Sequence, residues 1–80
     1  MPDTHAERGA SLARRRPDLC NKLSETQRVV LSMLLEGMTE PQIAEKLERS
    51  RHTVHDHTKA IYQTLGVQSR VQLVLLFTAP

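Results

Sequence analysis

No stretch of this chain constrains its fold as tightly as Ser50–Leu65, SRHTVHDHTKAIYQTL. At helical spacing, Val54, Thr58, Ile61 and Leu65 stand at i, i+4, i+7 and i+11, which is one buried stripe. His52, His55, Asp56, Lys59 and Gln63 fall on the opposite side. The spacing predicts a helix over about 51–65 with two unlike faces. Its outer face carries hydrogen-bonding groups, one fixed cation and two imidazoles. Such a face can sit in water or read base edges.

The preceding segment, Thr39–Ser50 (TEPQIAEKLERS), decides between these. Thr39 is an N-cap residue, and Gln42 stands where a capping box needs it. Pro41 lies in the first turn, where its missing N–H does no harm. Ile43, Ala44 and Leu47 make a short apolar stripe, Glu48 and Arg49 connect, and Ser50 caps the longer helix. A short helix, a tight turn and a longer helix with a polar outer face form a helix-turn-helix. The small Ala44 lets the two helices come close.

Caps and stripes predict two more helices. Ser24 and Gln27 box the start of a helix over about 25–36, and Gly37 stops it. Its stripe is Val30, Leu31, Leu34 and Leu35, extended by Met38. Gly66 ends the 51–65 helix, and Ser69 with Gln72 boxes a last helix over about 70–77. Residues 1–22 show no clear period and hold Pro2, Gly9, Pro17 and the run Arg14-Arg15-Arg16. They read as an irregular arm or linker, with room for a weak helix, before an all-α, four-helix domain over 23–80.

Composition narrows the function. One Tyr, one Phe and no Trp leave an aliphatic core and no stacking platform for single strands. Eighty residues hold one core at most, and a marginal one. The single Cys20 has no internal disulfide partner and fits a reducing cytoplasm. Val71–Phe77 is far too short to span a membrane, and the N-terminus has no signal-peptide core. No nucleophile–base pair or phosphate loop is present, so neither an enzyme nor a cofactor is expected. His52, His55 and His57 catch the eye as metal ligands. Helical geometry turns His57 well away from His52, and no metal site is expected. Net charge is +2, distributed as +2 over 1–22, −3 over 23–48 and +3 over 49–80. The basic third contains the turn and the helix with the polar face, which is the footprint of a modest nucleic-acid binder.

Leu23-Ser24, Gly37, Ile43-Ala44, Leu47, Ser50, Thr53-Val54, His57, Ile61, Leu65-Gly66-Val67, Ser69-Arg70 and Leu73-Val74 stand in a specific order and register. In these residues the segment 23–77 resembles the LuxR-type (GerE-like) DNA-binding domain of bacterial transcriptional regulators. The resemblance implies a four-helix domain whose third helix enters the major groove of double-stranded DNA and whose fourth often dimerises. It also implies that His57 packs and that His55 and Asp56 face the groove. The chain departs from the family where Lys is common, at His55 and Thr64, and so lacks fixed positive charge there. It also has Val29 where the family carries an acid, which takes an acidic partner from Arg70.

The DNA-contacting residues expected are Arg51, His52, Thr53, His55, Asp56 and Lys59. Arg51 and His52 lie where free helix N–H groups favour phosphate. Thr53 donates to a phosphate or supports Ser50. Lys59 reaches a phosphate or a guanine edge, and Asp56 accepts from cytosine N4. In the last helix, Leu73, Leu76 and Phe77 share one side and Val71, Val74 and Leu75 the other. The resemblance puts Leu73, and partly Val74, against the core. A homodimer through Val71, Val74 and Leu75 is expected, and family relatives suggest an upstream regulatory domain as a further partner. Two other readings stand beside this one: a helical dimerisation module with weak DNA affinity, and a sigma-factor-like promoter-recognition region. The Leu65-Gly66-Val67…Ser69-Arg70 ending favours the LuxR type over the latter.

Overall fold

The computed structural model describes residues 4–79. Among them lie six helices and no strand: α1 (Thr4–Arg14), α2 (Pro17–Cys20), α3 (Glu25–Leu35), α4 (Glu40–Leu47), α5 (Arg51–Leu65) and α6 (Arg70–Thr78). The four expected helices are α3 to α6, and their ends fall within one residue of those predicted. The caps explain that agreement. Ser24 Oγ accepts from the Gln27 N–H at 3.2 Å while Gln27 Oε1 accepts from the Ser24 N–H at 3.0 Å. Thr39 and Gln42 do the same at 3.3 and 2.9 Å. Each box satisfies two backbone donors that a helix start leaves without partners.

The expected box at α6 forms only half. Ser69 Oγ accepts from the Gln72 N–H at 3.2 Å, but Gln72 Oε1 accepts from the Gln68 N–H at 2.7 Å. Ser69 is more extended (φ −150°) than Ser24 (φ −69°) or Thr39 (φ −78°). Its own N–H is turned aside, and the preceding one takes its place.

Helix α3 sits at the centre and touches α1, α4, α5 and α6. Val30, Leu31 and Leu34 from α3, Ile43 from α4, Val54 and Ile61 from α5, and Leu73 and Phe77 from α6 are fully buried together. Among the described residues Thr58 is the one buried polar side chain, and its hydroxyl donates to the Val54 carbonyl at 3.0 Å. The α5 stripe ends one turn early, since Leu65 is only half-buried. In α6, Leu73 and Phe77 point inward and Val74 and Leu76 are half-buried, while Val71 and Leu75 are 68% and 57% exposed. Arg70 donates to the Met38 carbonyl and ties the start of α6 to the α3–α4 loop.

Two turns set the helix directions. Gly66 closes α5 at φ 72°, a left-handed conformation that glycine enters freely. Glu48 closes α4 at φ 55°, ψ 43°, the same region without that freedom. A non-glycine residue there costs about 1–2 kcal/mol.

The N-terminal region is more ordered than the sequence reading expects. Residues 1–22 were expected as an irregular arm or linker with room for a weak helix; a helix forms there, and α1 lies along α3 and reaches α6. Residues 1–3 of that expectation lie outside the described residues. Gly9, Ala13 and Leu19 are buried. The physical reason is close approach: a Cβ on Gly9 would run into the Ser32 carbonyl oxygen and Glu36 Cγ of α3. Gly9 and Ala13 leave almost no apolar signature, and Leu12 alone of the larger α1 side chains described packs against the core. Arg16, the last of the three arginines, forms an exposed ion pair. Its guanidinium meets Asp18 through two bonds of 3.1 and 3.0 Å and holds that carboxyl below its ordinary range. Cys20 donates its thiol to the Ala13 carbonyl at 3.2 Å, and burial pushes the thiol up. No helix among the described residues is long and apolar enough to cross a membrane.

Candidate nucleic-acid interface

Helix α5 buries Val54, Thr58 and Ile61 against the core and packs on both α3 and α4. That leaves its other side free. Arg51, His52, His55, Asp56, Lys59 and Gln63 are all exposed on it. Arg51, His55 and Lys59 follow one another at i, i+4 and i+8 along the helix. The structure therefore brings five of the six predicted contact residues onto one face.

Thr53 is the sixth, and it is half-buried beside that face. Its hydroxyl lies 2.9 Å from Ser50 Oγ, and its N–H donates to the same oxygen at 3.1 Å. The hydroxyl thus supports the helix cap. Thr53 also lines a groove of about 540 Å³ with Thr26, Val29, Leu47, Arg49 and His57. His57 is half-buried in the wall of this groove, between the core and the outer face of α5.

Two imidazoles on the outer face have acidic neighbours. His52 Nε2 lies 3.4 Å from Asp56 Oδ2, one turn along α5. His55 Nδ1 lies 3.3 and 3.2 Å from the two carboxylate oxygens of Glu40, the first residue of α4. Sequence reasoning missed Glu40 because it stands fifteen positions from His55. The available signal was indirect: the helix-turn-helix pattern implies only that its two helices pack close together across a short turn. These acids offset part of the positive charge of Arg49, Arg51 and Lys59. The face is a mosaic of donors and acceptors, suited to reading edges more than to gripping a uniform anion. Among the described residues no three His, Cys, Asp or Glu side chains converge as metal ligands.

A family model described as bacterial regulatory proteins, luxR family, matches residues 21–77. An HTH-type transcriptional regulator of Mycobacterium tuberculosis is 37% identical over 70 residues, which are 88% of this chain and 8% of that protein. The glycerol metabolism activator of Pseudomonas putida is 37% identical over 59 residues, 74% of this chain and 27% of the activator. A cyclic di-GMP phosphodiesterase of Escherichia coli is 32% identical over 53 residues, 66% of this chain and 15% of the enzyme. The chain spans 8% of the length of the first of these relatives. No solved structure matches it.

Proposed function

The chain belongs to the luxR family of bacterial regulatory proteins, and from that membership we propose how it acts. It binds double-stranded DNA and regulates transcription. Helix α5 enters the major groove with Arg51, His55 and Lys59 foremost. The observation that carries this reading is the exposed outer face of α5 held rigid by Val54, Thr58 and Ile61 beneath it. Arg51, His52 and Thr53 lie at the helix start, where phosphates are favoured. Lys59 takes a phosphate or a guanine edge, and His55 and Asp56 read bases. The chain acts by binding, in the cytoplasm, and an upstream regulatory domain is a fitting partner because the matched relatives extend far beyond the shared segment.

Titration of matched and random duplexes by fluorescence anisotropy tests the groove assignment. Lys59→Ala is expected to weaken both about equally and to lower the salt slope by about one. Asp56→Ala is expected to leave random binding nearly unchanged and to relax preference at one base pair by about 1–3 kcal/mol. Neither variant changing either affinity would show that another face meets DNA. A protein-interaction module on the same scaffold has one observation in its favour, the acids Glu40 and Asp56 among the cations of the face. Its affinity for generic duplex would be negligible and have no steep salt dependence.

The proposal includes a homodimer through α6. Val71 and Leu75 are exposed and Val74 is half-buried beside them. Each CH₂ removed from water contributes about 0.8 kcal/mol, so the patch favours a partner but a weak one. A second copy packed about a two-fold axis would present two copies of α5 to two half-sites. Sedimentation on a palindromic site is expected to show two chains bound cooperatively, and Val71→Glu with Leu75→Glu to abolish that cooperativity. Independent binding by both proteins would remove the dimer from the proposal.

A further inference from the structure

We propose that Glu40, which lies outside the reading helix, sets what His55 recognises by fixing its tautomer, so that the domain selects an adenine or cytosine amino group at the base pair facing His55. The inference rests on the groove assignment of α5. Its own evidence is the contact between the two helices of the motif: His55 Nδ1 stands 3.2 and 3.3 Å from both oxygens of the Glu40 carboxylate. An ionised carboxylate only accepts hydrogen bonds. The nitrogen facing it must therefore carry the proton. In the neutral imidazole, which carries one N–H, Nε2 is then bare and accepts; in the imidazolium both nitrogens donate, so the selection belongs to the neutral form.

Which base this favours follows from the groove code. The major groove offers donors only at adenine N6 and cytosine N4, whereas guanine O6 and thymine O4 accept. A bare Nε2 bonds the first pair and repels the second. The opposite tautomer would reverse that choice. Asp56, the next residue on the same face, is also an acceptor, so the two side chains ask for the same kind of base edge. Glu40 is thus a positioning residue that acts through His55. It is placed by the Thr39–Gln42 capping box, which starts α4 at that residue.

Glu40→Gln separates this role from mere shape. An amide both donates and accepts, so it holds either tautomer and the bias is lost while the side-chain size is kept. Long-range proton–nitrogen correlation spectra of the neutral imidazole read the tautomer directly. In the wild-type protein His55 is expected to carry its proton on Nδ1, and in Glu40→Gln and Glu40→Ala to shift toward Nε2. A site selected from random duplexes is then varied base by base. The wild type is expected to prefer adenine or cytosine over guanine or thymine by about fivefold at one position, the worth of one hydrogen bond. Glu40→Gln is expected to lower that ratio below about twofold. His55→Ala should be indifferent there, and adding Glu40→Gln to it should change nothing. Circular dichroism confirms that the variants remain folded.

Two results would overturn the proposal, and they differ. If Glu40→Gln leaves both the tautomer and the preference unchanged while His55→Ala abolishes the preference, Glu40 has no role and the groove assignment stands. If His55→Ala keeps the wild-type preference at every position, His55 reads no base, and the groove assignment fails at that residue together with the proposal.

Discussion

Val54→Asp is expected to unfold the protein. Val54 is fully buried where α5 meets the core shared with α3 and α4. Losing its apolar burial costs about 2 kcal/mol. Placing a carboxylate there without a partner costs several more, whether it stays charged or takes up a proton. A domain of 80 residues holds about 4–12 kcal/mol in all. The substitution therefore removes most or all of the stability. Thermal circular dichroism should show no cooperative transition, and binding to any duplex should vanish with it. Val54→Ala is the graded control. It removes apolar bulk without a charge and is expected to lower stability by about 1–3 kcal/mol while leaving a folded domain. A cooperative melt in Val54→Asp would mean that α5 is seated differently.

Gly9→Val should have the next largest effect, and a different character. The added side chain meets the Ser32 backbone oxygen, which cannot swing aside, as well as Glu36 Cγ. Overpacking of this kind costs about 1–3 kcal/mol. The cheaper escape is for α1 to leave α3. Hydrogen exchange is expected to show protection lost over residues 8–14 and kept in α5, with DNA affinity close to wild type. Unchanged protection in α1 would show that the helices do not pack through Gly9.

These two sites also mark where the sequence could be read and where it could not. Val54, Thr58 and Ile61 advertise their burial through spacing, and Ser24, Thr39, Ser50 and Ser69 advertise helix starts through chemistry. Such signals are local, so α3 to α6 were legible to within a residue. The packing of α1 was not, because its contact uses Gly9 and Ala13, whose worth lies in clearance rather than hydrophobic mass. The Glu40–His55 pair was hidden for another reason. Neither residue has a local role that requires the other, and only the docking of α4 on α5 brings them within 3.2 Å. The Ser69 box misled because its sequence matches the pattern while its backbone does not. Arg70 bonds the Met38 carbonyl, a partner that no side-chain pattern encodes.

The left-handed backbone at Glu48 bears on how portable the reading motif is. Left to itself, the α4–α5 connection would relax away from that conformation, since a residue with a Cβ disfavours it. What holds it is the docking of both helices, with Ile43, Ala44, Val54 and Ile61 buried in a core that α3 and α6 complete. The angle between the two helices is therefore a property of the whole domain. Residues 39–65 cut out as a peptide, or grafted onto a scaffold lacking those neighbours, would keep the letters of the motif and lose its geometry.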